Sequence, residues 1–169
     1  STAQQHVKEI KILMPAPFAD ATKDLVTEFN SEYLGEIHLS TIRGPRETES
    51  LSDLAIANML LSDNTFDALL VDVTWLPKYA ATGWLLPLDE WINENEFKNL
   101  AKGARLGNKY NQKLYRWPLV SSMGLLYWRT DLMETPPQTP YELIQISKRL
   151  KEEGKVTHGY TWQGRQYEG

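Results

Sequence analysis

The feature that most constrains the fold is the alternation of apolar runs and helical stripes through the first part of the chain. "VKEIKILMP" alternates and then becomes uniformly apolar before Pro15 and Pro17, which reads as a strand followed by a loop. Behind Asp20 as N-cap, the positions Ala21, Leu25, Phe29 and Tyr33 recur at helical spacing and Gly35 supplies a stop, so an amphipathic helix is expected there. "EIHLSTI" reads as a second strand and "GPRETES" as a turn. Leu51, Leu54, Ala55, Asn58 and Leu61 then form a second helical stripe, ending before Asp63 and Asn64, and "FDALLVDV" is a third strand. Strands with apolar centres separated by helices predict an α/β fold, a parallel-type sheet flanked by helices on both faces. In open sheets of this kind the loops beyond the carboxyl ends of the strands share one crevice, and Phe18, Arg46 and Asp72 fall in those loops.

The second half is less regular. "YNQKLYRWPLV" and "GLLYWRTDL" read as short strands separated by "SSM", and "THGYTW" as a further strand. Between them Thr139, Pro140 and Glu142 open a helix with a capping box, Lys148, Arg149 and Lys151 favour its end, and Gly154 stops it. No internal repeat is present. A length of 169 residues suits one ordinary domain or a piece of a larger one, and 41% hydrophobic with 24% charged residues suits a chain that buries a core.

Composition removes several function classes. The net charge is -4 and the longest basic run is the pair Lys148 and Arg149, so nucleic acid and anionic membranes are not expected partners. The absence of cysteine removes disulfides and thiolate chemistry. His6, His38 and His158 are scattered without metal-ligand spacing, and neither a dinucleotide nor a nucleotide fingerprint occurs, so no metal and no cofactor is expected. "GLLYW" is far too short to span a bilayer. The opening "STAQQHVKEIKILM" resembles the polar start of a mature exported protein, and equally that of a trimmed chain.

Asp72 carries two readings: a cap for the short helix expected at Trp75 to Ala80, or an acceptor for a polar ligand. Arg46 either holds ligand oxygens or fixes Asp72, while Glu47 suits a first helical turn. Trp84 and Trp91 are expected in the core. Trp75 and Trp117, beside polar loop residues, are able to offer a flat apolar face and an N–H to a ligand. Carboxylates, an arginine and flat rings around one crevice suit a ligand with many hydroxyls and an apolar C–H face, a sugar. The enzymatic alternative is a carbohydrate-active hydrolase using Asp72 and Glu168 as paired carboxylates.

The blocks "VDVTW", "GWLLPLD", "GLLYWRTDL" and "WQGRQYEG", in this order, resemble the extracellular solute-binding proteins of ABC sugar importers, in the branch that includes trehalose and maltose binders. The resemblance implies a periplasmic-binding-protein-like receptor, without enzymatic activity, that captures a disaccharide or small glucoside. It would deliver this to permease subunits in the membrane, from a periplasmic or extracellular location, held there through the transporter or a lipid anchor. It implies Asp72 as the sugar-binding acid, Arg46 and Trp75 as its neighbours, and Phe18 to Asp20 at the border of the cleft. Related proteins often carry an aspartate where this chain has Ser122, which exchanges a charged acceptor for a hydroxyl. Members are more than twice as long, so residues 1–115 are expected to form a first α/β lobe and 116–169 the crossover and beginning of a second. The remaining C-terminal part, in the same or a separate chain, would then cover exposed apolar surface.

Overall fold

The computed structural model describes residues 6–61 and 65–165, and the expected parallel sheet is present in it. Strands β1 (Lys8–Pro15), β2 (Ile37–Gly44) and β3 (Ala68–Leu69) lie in the order β2-β1-β3 with both pairings parallel. β1 and β2 pair from Lys8 opposite Ile37 to Pro15 opposite Gly44, whereas β3 opposes β1 only at Ile12 and Leu13. The third strand is therefore much shorter than "FDALLVDV" suggests. Asp67 N–H and Leu70 N–H donate to the carbonyls of Lys11 and Leu13 at 2.8 Å, and beyond Leu70 the chain leaves the ladder.

Helices cover both faces because neighbouring side chains on β1 point opposite ways. Leu13 packs with Leu51 and Ala55 of α3 (Thr48–Leu60), and Ile42, Met59, Phe66 and Leu69 close this cluster. Met14, next in the strand, is also buried, and its Sδ lies 3.6 Å from the Thr22 hydroxyl on the other side. Leu51, Ser52 and Ala55 are the buried positions of α3. Leu54 and Leu61, expected in its stripe, are exposed, because one narrow sheet covers only one edge of the helix. The stop expected at Asp63 and Asn64 lies outside the described residues.

The loop expected after Pro15 is a helical turn, α1 (Ala16–Ala21), with Pro17 in its first turn, where a missing N–H costs nothing. Asp20 consequently lies inside α1 and caps nothing. Thr22, at φ -98° and ψ 5°, separates α1 from α2 (Lys23–Glu32), and its hydroxyl donates to the Phe18 carbonyl at 2.8 Å. The inner face of α2 is Val26, Phe29, Asn30 and Tyr33, while Leu25 is exposed. Asn30 ties this helix to β2: its Nδ2 donates to Leu39 O at 2.8 Å, and its Oδ1 accepts from Leu39 N–H at 2.7 Å. Gly35, at φ +83°, ends the helical region as expected.

A 3₁₀ turn at Val73–Trp75 leads into α4 (Leu76–Ala81). β4 (Lys109–Tyr110) and β5 (Lys113–Leu114) form an antiparallel hairpin whose two turn residues, Asn111 and Gln112, both have positive φ. The hairpin is anchored to "PLDEW": Leu88 N–H donates to Leu114 O at 2.7 Å, and Leu114 N–H donates to Asp89 Oδ2 at 3.0 Å.

The chain divides into two compact units at Ser121 and Ser122. The second holds α5 (Pro140–Glu152), where Thr139 Oγ1 accepts from Glu142 N–H at 3.2 Å. The Glu142 carboxylate accepts from Gln138 N–H, one residue before the cap, in place of the reciprocal bond of a capping box. Gly154, at φ +69°, follows the helix. "GLLYWRTDL" and "THGYTW" are irregular and not strands, since a strand requires a paired neighbour and none pairs with them among the described residues. Tyr127 and Trp162, exposed by 88% and 71%, show how little of these apolar segments is covered.

Candidate functional site

From β1 the chain passes to β2 on one side and then to β3 on the other, so the strand order reverses between β1 and β3. A crevice opens beyond the carboxyl ends of strands at such a point. A notch lies there, with Thr48, Ser52, Leu69, Asp72, Trp75 and Tyr79 in its wall, and its volume of about 10 Å³ is the room of a single oxygen. It accommodates a hydroxyl or a water and no ring.

Asp72, half-buried, caps the 3₁₀ turn. Its Oδ1 accepts from both the backbone N–H and the hydroxyl of Thr74, at 2.9 and 2.8 Å. Asp72 is thus a cap, but of the turn at Val73–Trp75 and not of the helix expected at Trp75 to Ala80, whose own start has no side-chain cap; the ligand reading stays open, because both bonds converge on one of the two carboxylate oxygens. Trp75, three residues on, has its indole Nε1 buried with no hydrogen-bond partner among the described residues. A buried unsatisfied donor costs about 1 to 3 kcal/mol, so it marks a place where an acceptor is favoured. Lys78 Nζ lies 5.5 Å from the centre of the same ring. Tyr79 is fully buried, shares a 2.6 Å hydrogen bond with the Ser52 hydroxyl, and has its phenol pKa pushed up by burial.

The structure adds a residue that the sequence reading missed. Arg116, half-buried just after β5, donates from Nη1 to Asn108 Oδ1 at 2.7 Å. Asn108 is itself only 1% exposed and is held by its Nδ2 bond to Ala104 O at 2.7 Å and by Tyr115 N–H donating to its carbonyl at 3.0 Å. Gly107, at φ +73°, brings this loop so close to Val73 that a Cβ would collide with Val73 Cγ2, next in sequence to Asp72. Burial lowers the Arg116 pKa from its ordinary value, and the negative charge of Asp72 opposes that. A lone arginine in the otherwise apolar "LYRWPLV" was the available signal.

The other expected residues are distributed as follows. Phe18 is half-buried on α1. Asp20 is gripped by Arg43, Nε to Oδ1 and Nη2 to Oδ2, each at 3.1 Å, and this guanidinium holds its pKa below the usual carboxylate value. Arg46 is exposed, and its positive charge contributes in a minor way to lowering the Asp20 pKa. Ser122 is exposed and belongs to the second unit. Glu168 lies outside the described residues. Trp84 packs on Tyr79 with ring centres 6.0 Å apart, as a core residue should. Trp91 is 62% exposed, contrary to expectation, on the turn that Leu88 and Asp89 fix against β5. Trp117 meets Phe97 edge-on at 5.0 Å and does not line the notch.

Among the described residues there is no group of His, Cys, Asp and Glu able to hold a metal ion. No described helix is long and apolar enough to cross a membrane.

The family model of bacterial extracellular solute-binding proteins matches residues 15–168. A maltotriose-binding protein of Pyrococcus abyssi is 25% identical over 88 residues, which cover 52% of this chain and 19% of that one. A probable ABC transporter-binding protein of Deinococcus radiodurans is 26% identical over 137 residues, covering 76% of this chain and 32% of that one. Among solved structures, maltose-bound MalE3 of T. maritima superposes with a TM-score of 0.76 at 22% identity, over 89% of this chain and 39% of that one. The GacH receptor of Streptomyces glaucescens gives 0.71 at 16% identity, over 90% and 40% respectively. At these identities the solved structures establish the fold, and the chain spans less than half the length of each of these proteins.

Proposed function

The chain belongs to the bacterial extracellular solute-binding proteins, and on that premise we propose that it serves an ABC importer by capturing a sugar of the maltose or trehalose type. Residues 1–115 supply a first lobe and 116–169 the crossover and start of a second. The protein acts outside the cytoplasm, delivers its ligand to a membrane permease and performs no chemistry on it. A relative named for maltotriose and a neighbour holding maltose favour this ligand class.

The observation that supports the reading is that Asp72, with one carboxylate oxygen uncommitted to its cap, and Trp75, whose buried indole N–H has no partner among the described residues, line the same notch. A sugar hydroxyl donates and accepts at once, so one hydroxyl answers both groups. In this reading Arg46, Phe18 and Asp20 border the cleft.

Calorimetric titration of the full chain with maltose, maltotriose and trehalose tests the proposal. Asp72→Asn keeps an oxygen for the cap and loses the charge, so affinity should fall by about 1.5 to 3 kcal/mol, tenfold or more. Asp72→Ala also loses the cap, at about 0.5 to 2 kcal/mol of stability. Unchanged affinity in Asp72→Asn removes Asp72 from the site, and release of monosaccharide during long incubation would favour the hydrolase instead.

A further inference from the structure

The Asn108–Arg116 pair is a built polar device, on a loop packed against the turn after Asp72, that the cap of Asp72 does not employ. Asn108 is almost fully buried and spends its amide on two partners, Ala104 O and the Arg116 guanidinium. A buried amide that grips an arginine fixes where the planar fork points. Only one of the five guanidinium N–H groups is needed for the Asn108 bond. The loop that carries Asn108 touches Val73, the residue after Asp72, through the Cβ-free surface of Gly107. The loop whose Asn108 grips the Arg116 guanidinium is thereby packed against the turn that Asp72 caps before any ligand arrives.

We infer that Arg116 is a further ligand-positioning residue of this site, holding one oxygen of a vicinal diol while Asp72 accepts from the neighbouring hydroxyl. This rests on the sugar-binding reading above and deepens it. A carboxylate only accepts and a guanidinium only donates, so together they fix the direction of both hydroxyls of a diol, which neither does alone. The field of Asp72 at the Arg116 guanidinium agrees with this placement. The ligand class that follows is a neutral sugar presenting adjacent hydroxyls, since a ligand anion would have to approach Asp72 as well.

The test is titration of the full chain with maltose, maltotriose and trehalose, comparing the unaltered protein with Arg116→Met, Arg116→Lys and the double variant Arg116→Met with Asp72→Asn. The expected result is a loss of affinity of tenfold or more in Arg116→Met and a smaller loss in Arg116→Lys, which keeps the charge without the fork. The double variant should lose less than the product of the single losses, because both groups hold one diol. The ligand-free melting temperature should fall in Arg116→Met, which leaves the buried Asn108 Oδ1 without its partner, and should stay near that of the unaltered protein in Arg116→Lys, whose ammonium still donates. Full affinity in Arg116→Met overturns the inference and leaves the sugar-binding reading standing. A lowered melting temperature in both single Arg116 variants, with affinity following it, makes Arg116 a structural residue and also overturns it. If the unaltered protein takes up none of the three sugars while remaining folded, the functional reading fails and the inference fails with it.

Discussion

Tyr79 shows how a single residue joins core to site, since its ring packs on Trp84 while its hydroxyl meets Ser52 in the wall of the notch. Tyr79→Phe leaves the buried Ser52 hydroxyl without this partner and should cost about 1 to 2 kcal/mol in denaturant melts. The pH dependence has a definite sign. Burial raises the folded-state pKa of Tyr79 above 10.0, so its contribution is fully present below the unfolded value and is lost as pH rises through the folded one. Stability should fall as the pH rises through the ordinary tyrosine value and on towards the raised folded-state one, and part of that slope should vanish in Tyr79→Phe. Gly107 is the second sensitive position. With φ at +73° and Val73 in contact, Gly107→Ala should cost about 1 to 2 kcal/mol from the left-handed backbone alone, and more from the collision. If the proposed sugar binding holds, it should weaken that binding as well, because the loop carries Asn108. A melting temperature equal to that of the unaltered protein would contradict the close approach.

Elements were legible in the sequence where their signals are local. α5 begins at Thr139 and Pro140 and ends before Gly154, as the cap, proline and glycine dictate. The boundary between α1 and α2 was not legible, because Thr22 breaks the helix by bonding back to Phe18, an event without a glycine or proline to announce it. The extent of β3 was overread for another reason: apolarity marks burial, but strand length is set by the partner, and β1 offers β3 only Ile12 and Leu13. The inner face of α2 likewise contains a polar residue, Asn30, that periodicity passes over. Its two bonds to Leu39 cover backbone groups that an edge strand otherwise leaves open. Asn30→Ala should destabilise the chain by about 1 to 3 kcal/mol. Hydrogen exchange at the Leu39 amide should accelerate first, and an unchanged rate there would show that the clamp is not formed in solution.

At the scale of the whole molecule the chain is two compact units, and residues 119 to 127, which run across their boundary, are exposed and irregular. Exposed irregular backbone is where proteases cut first. Brief treatment with chymotrypsin should therefore cleave at Leu125, Leu126 or Tyr127 before any site in β1, α3 or α4, as read by mass spectrometry. Early cleavage at the buried Leu13, Leu51 or Tyr79 would contradict the packing described.

What the sequence determined by itself is the α/β class, the parallel sheet, and the placement of Asp72 and Trp75 after its third strand. Those follow from hydrophobic spacing and capping chemistry, which act over a few neighbouring residues. Only the tertiary structure decided that Asp20 belongs to Arg43, that Trp117 belongs to Phe97, and that the Gly107 loop packs against Val73 beside Asp72. Each of those pairings joins residues about twenty or more positions apart. Their partners are chosen by the path of the β4–β5 hairpin and by the packing of α1 beside β2, and no local pattern encodes either.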